Sequence, residues 1–207
     1  MNPGKPTAGW NQIMSLPRRL TVDDQGLAMI PTGDVESLRG EHVQLRDVAL
    51  PANQDVVLDA VDGDAIEMIV RIAPSDAPVI ELDVLRSPGA EEYTRISFYR
   101  DRGMNESFGQ QRRRQSLVSI DTSRASLAAD VRPRAPETAP VCLREDEPVE
   151  LRVFVDRSVV EVFVNGQQCV AVRVYPEASN STGVALRSQG NTSQLLSLDA
   201  WQMQSIY

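Results

Sequence analysis

The chain has 207 residues, 42% hydrophobic and 24% charged, with 21 basic against 29 acidic side chains and a net charge of −8. That length bounds it to one domain or two small ones, and the composition excludes disordered, collagenous and coiled-coil chains. One histidine (His42) and two cysteines (Cys142, Cys169) exclude a His-rich or Cys-rich metal site, and an isoelectric point near 4.7 argues against a nucleic-acid polymer as partner, since phosphate binding rests on positive charge.

No apolar run approaches the roughly 18–20 residues that span a bilayer, so no membrane partner is predicted. The opening Met1-Asn2-Pro3-Gly4-Lys5 lacks the apolar core of a signal peptide, which makes a cytoplasmic setting the expectation for the chain as given. Lys5 is the only lysine among the basic residues, the rest being arginines. The sequons at Asn105, Asn180 and Asn191 matter only in a secretory compartment.

In chain order, residues 1–20 read as a lone strand with Trp10, Gln12, Met14 and Leu16 on one face, ending at Pro17 and lacking a nearby hairpin partner. Next come runs of period two: Ile66, Met68, Val70 and Ile72; Ile80, Leu82 and Val84; Val149, Leu151, Val153 and Val155. Each alternation is that of a half-buried strand. Turn signals separate them at Asp62-Gly63, Ser87-Pro88-Gly89, Arg102-Gly103 and Gln189-Gly190-Asn191. Residues 131–148 carry four prolines and predict a long surface connection. The clearest hairpin joins Val159–Val164 to Gln168–Val174 through Asn165-Gly166, a pair suited to the positive φ of a type I′ turn. About a dozen short strands and no long amphipathic helix predict an all-β, two-sheet sandwich or a barrel.

Several clusters carry candidate chemistry. Asp156 and Glu161 flank a tight turn, and glycoside hydrolysis uses two carboxyls about 5 Å or about 6.5–9.5 Å apart. The alternative has Asp156 setting the Asp-Arg-Ser turn by side-chain-to-backbone hydrogen bonds, with Glu161 solvated or paired to an arginine. His42 has no Gly-x-Ser-x-Gly nucleophile elbow to serve, and no glycine-rich phosphate loop exists. Arg112-Arg113-Arg114 near Phe108 mixes base and aromatic as single-strand binders do, but the acidic chain favours pairing with neighbouring acids. Carbohydrate stacking is a candidate role for Trp10, Tyr99, Tyr175 and Trp201, against the usual place of aromatics in the core. Cys142 and Cys169 are compatible with one bridge, while the apolar run Gln168-Cys169-Val170-Ala171-Val172 predicts a small buried thiol.

Val155-Asp156-Arg157-Ser158-Val159-Val160-Glu161-Val162-Phe163-Val164-Asn165-Gly166, followed by Arg173-Val174-Tyr175-Pro176, resembles the C-terminal module of glycoside hydrolase family 32, the invertases, levanases and inulinases. Trp10 to Leu20 resembles the segment where that family's propeller meets its sandwich. Pro31, Glu36-Ser37-Leu38-Arg39 and Asp121-Thr122-Ser123-Arg124-Ala125-Ser126 continue the likeness. The resemblance implies a lectin-like, jelly-roll-type two-sheet antiparallel sandwich over 31–207, preceded by a junction segment over 1–30. It also implies a structural role for Asp156, Arg157, Ser158, Glu161, Phe163, Asn165, Tyr175 and Pro176.

The family's catalytic residues lie on an N-terminal propeller, in Asn-Asp-Pro-Asn, Arg-Asp-Pro and Glu-Cys contexts. Here no Asn-Asp pair exists, Arg46-Asp47 and Arg100-Asp101 are not followed by proline, and neither cysteine follows a glutamate. No catalytic residue, cofactor or metal is therefore predicted. The expectation is a non-catalytic module serving stability, oligomerisation or association with a catalytic propeller on another chain. The alternative is a free-standing fructan- or oligosaccharide-binding module.

Overall fold

The computed structural model describes residues 13–23, 26–103, 105–108, 111–131, 134–144 and 146–205. Two six-stranded antiparallel sheets face each other. The first runs β14 (Gln168–Arg173), β13 (Val159–Val164), β12 (Val149–Asp156), β5 (Ala65–Ile72), β16 (Ser193–Met203) and β3 (Arg39–Leu50). The second runs β11 (Glu137–Val141), β10 (Ser116–Asp121), β7 (Thr94–Tyr99), β6 (Val79–Arg86), β15 (Gly183–Gln189) and β4 (Asp55–Asp62). Two hairpins stand outside them: β1 (Arg18–Asp23) with β2 (Gly26–Pro31), and β8 (Asn105–Phe108) with β9 (Gln111–Arg114). The only helical element among the described residues is the 3₁₀ turn Val35–Leu38.

Alternation decides the core, as the pattern predicts. Ile66, Met68, Val70 and Ile72 turn inward with Leu151 and Val153, facing Leu82, Val84, Ile96, Phe98, Val118 and Ile120 of the other sheet. All are buried, and each such side chain contributes about 1.5–3 kcal/mol through removal from water. The outer face of the first sheet is covered as well, so Glu67, Glu161, Phe154 and Phe163 are buried there too.

Two expectations are corrected. The opening strand does not run over residues 1–20 as a lone strand: Ile13 to Pro17 have no regular structure, and the first strand among the described residues is β1, paired with β2 from Arg18↔Pro31 to Asp23↔Gly26. Trp10 and Gln12 lie outside the described residues. The sequence signal failed because the second strand, Gly-Leu-Ala-Met-Ile-Pro, is apolar without alternation. The proline-rich 131–148 stretch is not all loop: it contains β11, which pairs with β10 and carries Pro140. An edge strand tolerates proline because half its N–H groups face away from the sheet.

Candidate functional site

The motif at 155–176 builds one corner of the first sheet. β12 and β13 are joined by Arg157-Ser158, with Arg157 at φ +52 and its N–H donating to the Asp64 carbonyl at 2.6 Å. The Ser158 carbonyl accepts from the Val174 N–H at 3.0 Å, which ties the chain after β14 to the same turn. Asp156 is exposed and makes no side-chain hydrogen bond among the described residues, so backbone bonds hold this turn rather than the aspartate side chain.

The next turn has the predicted geometry, with Asn165 at φ +47 and Gly166 at φ +63. Asn165 Oδ1 accepts from the Glu150 N–H at 2.9 Å, and its Nδ2 donates to Glu147 Oε1 and the Pro148 carbonyl, each at 2.9 Å. The Gly166 carbonyl accepts from the Met29 N–H at 2.6 Å. A side chain at Gly166 would press on Ile30, since its Cβ would lie 3.3 Å from the isoleucine methyl. Asn165-Gly166 is thus both a turn and the seat of the β1–β2 hairpin.

Glu161 is 3% exposed. Its Oε1 accepts from the Leu16 N–H at 2.7 Å and its Oε2 from Arg18 Nη2 at 3.2 Å. The ladder sets Glu161 opposite Phe154 and Asp156 opposite Val159, so the two carboxylates share a face about 7 Å apart along the strand. One is buried with both oxygens engaged, and the other is in solvent. Phe163, opposite Cys169, meets Phe154 edge-on at 6.0 Å and lies under the Arg18 guanidinium at 5.8 Å.

The same outer face continues across the sheet as a charge network. Glu67, fully buried, takes Arg39 Nε and Nη2 at 2.8 and 2.7 Å and Arg152 Nε at 2.7 Å. Glu36, from the 3₁₀ turn, stands 3.8 Å from Arg39 and 3.6 Å from Arg152. Arg39 also lies 3.9 Å from the centre of the Trp201 ring, on which His42 stacks at 4.8 Å. His42 Nε2 is 3.0 Å from Asp199, which also accepts from Gln44 at 2.8 Å and Arg46 at 3.0 Å. Burial raises the Asp199 pKa, but the hydrogen bonds from Arg46, Gln44 and His42 outweigh it and hold the carboxyl below its ordinary value.

The aromatic candidates do not converge. Trp201 lies on β16 and Tyr175 two residues beyond β14, four strand spacings away across the sheet, or roughly 19 Å. Tyr175 accepts a short hydrogen bond from Arg173 through its hydroxyl. Tyr99 is half-buried on the outer face of the other sheet, opposite Val79 and Leu117. Pro176 is half-buried, and Arg112 to Arg114 form β9, with Arg113 opposite Glu106.

Neither Cys142 nor Cys169 forms a disulfide. Cys169 is half-buried rather than buried, because its side of the strand faces the hairpin and not the core. Among the described residues no three His, Cys, Asp or Glu side chains are grouped to hold a metal.

Sequence reasoning missed Glu67 and Glu92, two fully buried acids among the described residues. Glu92 accepts from Leu127, Glu177 and Ala178 N–H groups and from the Ser181 hydroxyl, at 2.6–3.1 Å. Both acids stand in polar positions that read as solvent-facing. The one available signal for Glu67 was its alternation partner Met68, which places it on the outer face without revealing what covers that face.

Residues 34–202 match the family model described as glycosyl hydrolases family 32 C terminal. An acid β-fructofuranosidase of Vicia faba is 30% identical over 235 residues, covering 96% of this chain and 35% of that protein. An insoluble β-fructofuranosidase isoenzyme of Arabidopsis thaliana is 29% identical over 95% of this chain and 39% of its own length. The chain therefore spans little more than a third of these relatives. The fold is that of fructan 1-exohydrolase IIa from Cichorium intybus (TM-score 0.79, 19% identity, 92% of this chain and 41% of that one). Exo-inulinase from Aspergillus awamori is also similar (TM-score 0.77, 17% identity, 100% and 38%). By its sequence and its two-sheet sandwich, the chain belongs to glycoside hydrolase family 32 and corresponds to that family's C-terminal domain.

Proposed function

We propose that the chain is the non-catalytic accessory module of a β-fructofuranosidase-like glycoside hydrolase, stabilising and associating with a catalytic propeller. The observation that carries this reading is the state of Glu161. It is the buried acid of the Val155–Gly166 motif, and both its oxygens are engaged by Leu16 and Arg18. A carboxyl so engaged anchors a preceding segment and has no oxygen left for a glycosidic bond.

The test is hydrolysis of sucrose, inulin and levan by the purified chain, followed by reducing-sugar release. No turnover above the buffer rate is expected, and turnover at an ordinary enzymic rate overturns the reading. A second reading, a fructan-binding module, rests on Tyr99, whose ring stacks on no other aromatic among the described residues. Calorimetry against a fructan panel, with a Tyr99→Ala control, separates the two. Flat isotherms support the first reading, and heat lost in the control supports the second.

A further inference from the structure

Asn165 is the only asparagine in the chain that precedes a glycine, and that pair carries a chemistry of its own. Glycine has no side chain to shield its backbone nitrogen, so the Gly166 nitrogen can attack Cγ of Asn165. The bond from Cγ to Nδ2 breaks, ammonia leaves and a five-membered succinimide closes. Water then opens the ring at one of its two carbonyls. One opening gives aspartate; the other gives isoaspartate, in which the main chain runs through the former side chain. Water is the only co-reactant, and the nitrogen lost leaves as ammonia.

The fold holds this reaction off. The Asn165 amide is turned towards residues 147–150, where Oδ1 accepts from the Glu150 N–H and Nδ2 donates to Glu147 Oε1 and the Pro148 carbonyl, each at 2.9 Å. Both amide donors are thereby used. Cγ reaches the Gly166 nitrogen only by swinging out of these three bonds. The backbone is pinned as well: the Asn165 N–H donates to the Glu150 carbonyl at 3.0 Å, and the Gln167 N–H closes the turn on the Val164 carbonyl at 2.9 Å. Glu147 is itself braced, since its Oε2 accepts from the Arg144 N–H at 2.8 Å.

The products do not fit the same seat. In the aspartate product an oxygen replaces Nδ2 and meets Glu147 Oε1 and the Pro148 carbonyl, acceptor against acceptor, with two carboxylates side by side. The isoaspartate product adds a methylene to the main chain of the turn and displaces Gly166, whose carbonyl takes the Met29 N–H at 2.6 Å.

We propose that Asn165-Gly166 is a spontaneous deamidation site gated by the 147–150 segment, and that its conversion is a one-way release of the β2 strand from the sandwich. The gate is local, because it opens when the side-chain bonds of one turn give way. It is one-way because ammonia is lost and neither product restores the donor that Glu147 and Pro148 require. The chemistry is independent of whether a catalytic propeller associates with the sandwich.

The test is peptide mapping of the full chain held in mildly alkaline buffer, reading aspartate and isoaspartate at position 165 against time. The chain unfolded in urea should convert about thirtyfold faster than the folded chain, the factor set by opening three hydrogen bonds. Glu147→Ala removes one acceptor and should speed conversion of the folded chain about fivefold, with the unfolded rate unchanged. Equal rates folded and unfolded overturn the gate, as does a folded rate indifferent to Glu147→Ala. Asn165→Asp reproduces the aspartate product and should speed hydrogen exchange of the Met29 amide about tenfold. Adding Glu147→Gln, whose amide can donate to the new carboxylate, should restore its protection. A Met29 amide as protected in Asn165→Asp as in the unsubstituted chain overturns the release.

Discussion

Arg18 and Glu161 are 143 residues apart in sequence, and their side chains meet at 3.2 Å across the outer face of the first sheet. The Leu16 N–H occupies the other carboxylate oxygen at 2.7 Å. Glu161→Ala strands both donors and should destabilise the docked hairpin by about 1–3 kcal/mol. Glu161→Gln, which keeps an acceptor for Leu16, should cost less. Hydrogen exchange of amides 18–31 reads this directly, with protection falling in the order wild type, Gln, Ala. Unchanged protection in the alanine variant would show that the pair does not hold the hairpin.

Glu92 staples three loops through four hydrogen bonds. Burial raises its pKa, yet the donors from Ser181, Ala178, Glu177 and Leu127 outweigh that and hold it below the ordinary 4.5. The folded state therefore binds this proton less readily than the unfolded one. The stabilisation is fully present above about pH 4.5 and is lost as pH falls through the lower, folded value. Glu92→Gln should cost about 1–3 kcal/mol at pH 7 and give a flatter loss of stability in acid. Denaturant titrations from pH 7 to pH 3 check both, and parallel acid limbs for the two proteins would refute the assignment.

Asn165 combines a left-handed backbone with three side-chain hydrogen bonds. Two substitutions separate these contributions. Asn165→Gly keeps the conformation and loses the bonds; Asn165→Ala loses the bonds and strains the turn as well. The glycine variant should lose about 1–2 kcal/mol and the alanine variant about 1 kcal/mol more. Equal urea midpoints would show that φ is not limiting at this position.

The sandwich was legible because its signal is local. Ile66 to Ile72 and Val149 to Val155 alternate with period two, and Asn165-Gly166 names its own turn. The outer face was not legible in that way. Glu67 and Glu161 look like solvent-facing members of alternating strands, and only the return of Arg39, Arg152, Leu16 and Arg18 from distant parts of the chain buries them. The family motif did single out Glu161 and Asn165, yet nothing in the sequence pairs them with Leu16, Glu147 and Pro148. Pro140 misled because proline reads as loop, whereas β11 is an edge with N–H groups to spare.

Cys169 reports on the same hairpin. It faces Phe163 across the β13–β14 ladder, and burial first, with Glu161 adding, pushes its thiol up to about 12 against an easing contribution from Arg18. Exposed Cys142 has no such burial. At pH 8 a thiol of pKa about 12 carries roughly a thousandfold less thiolate than an ordinary cysteine. An aromatic disulfide reagent should therefore titrate one thiol per chain quickly, and Cys142→Ser should remove that fast phase. Arg18→Ala loosens the hairpin and opens the half-buried site, and in the Cys142→Ser background it should speed the slow phase several-fold. If Cys169 reacts as fast as Cys142 in the unsubstituted chain, the hairpin does not shield it.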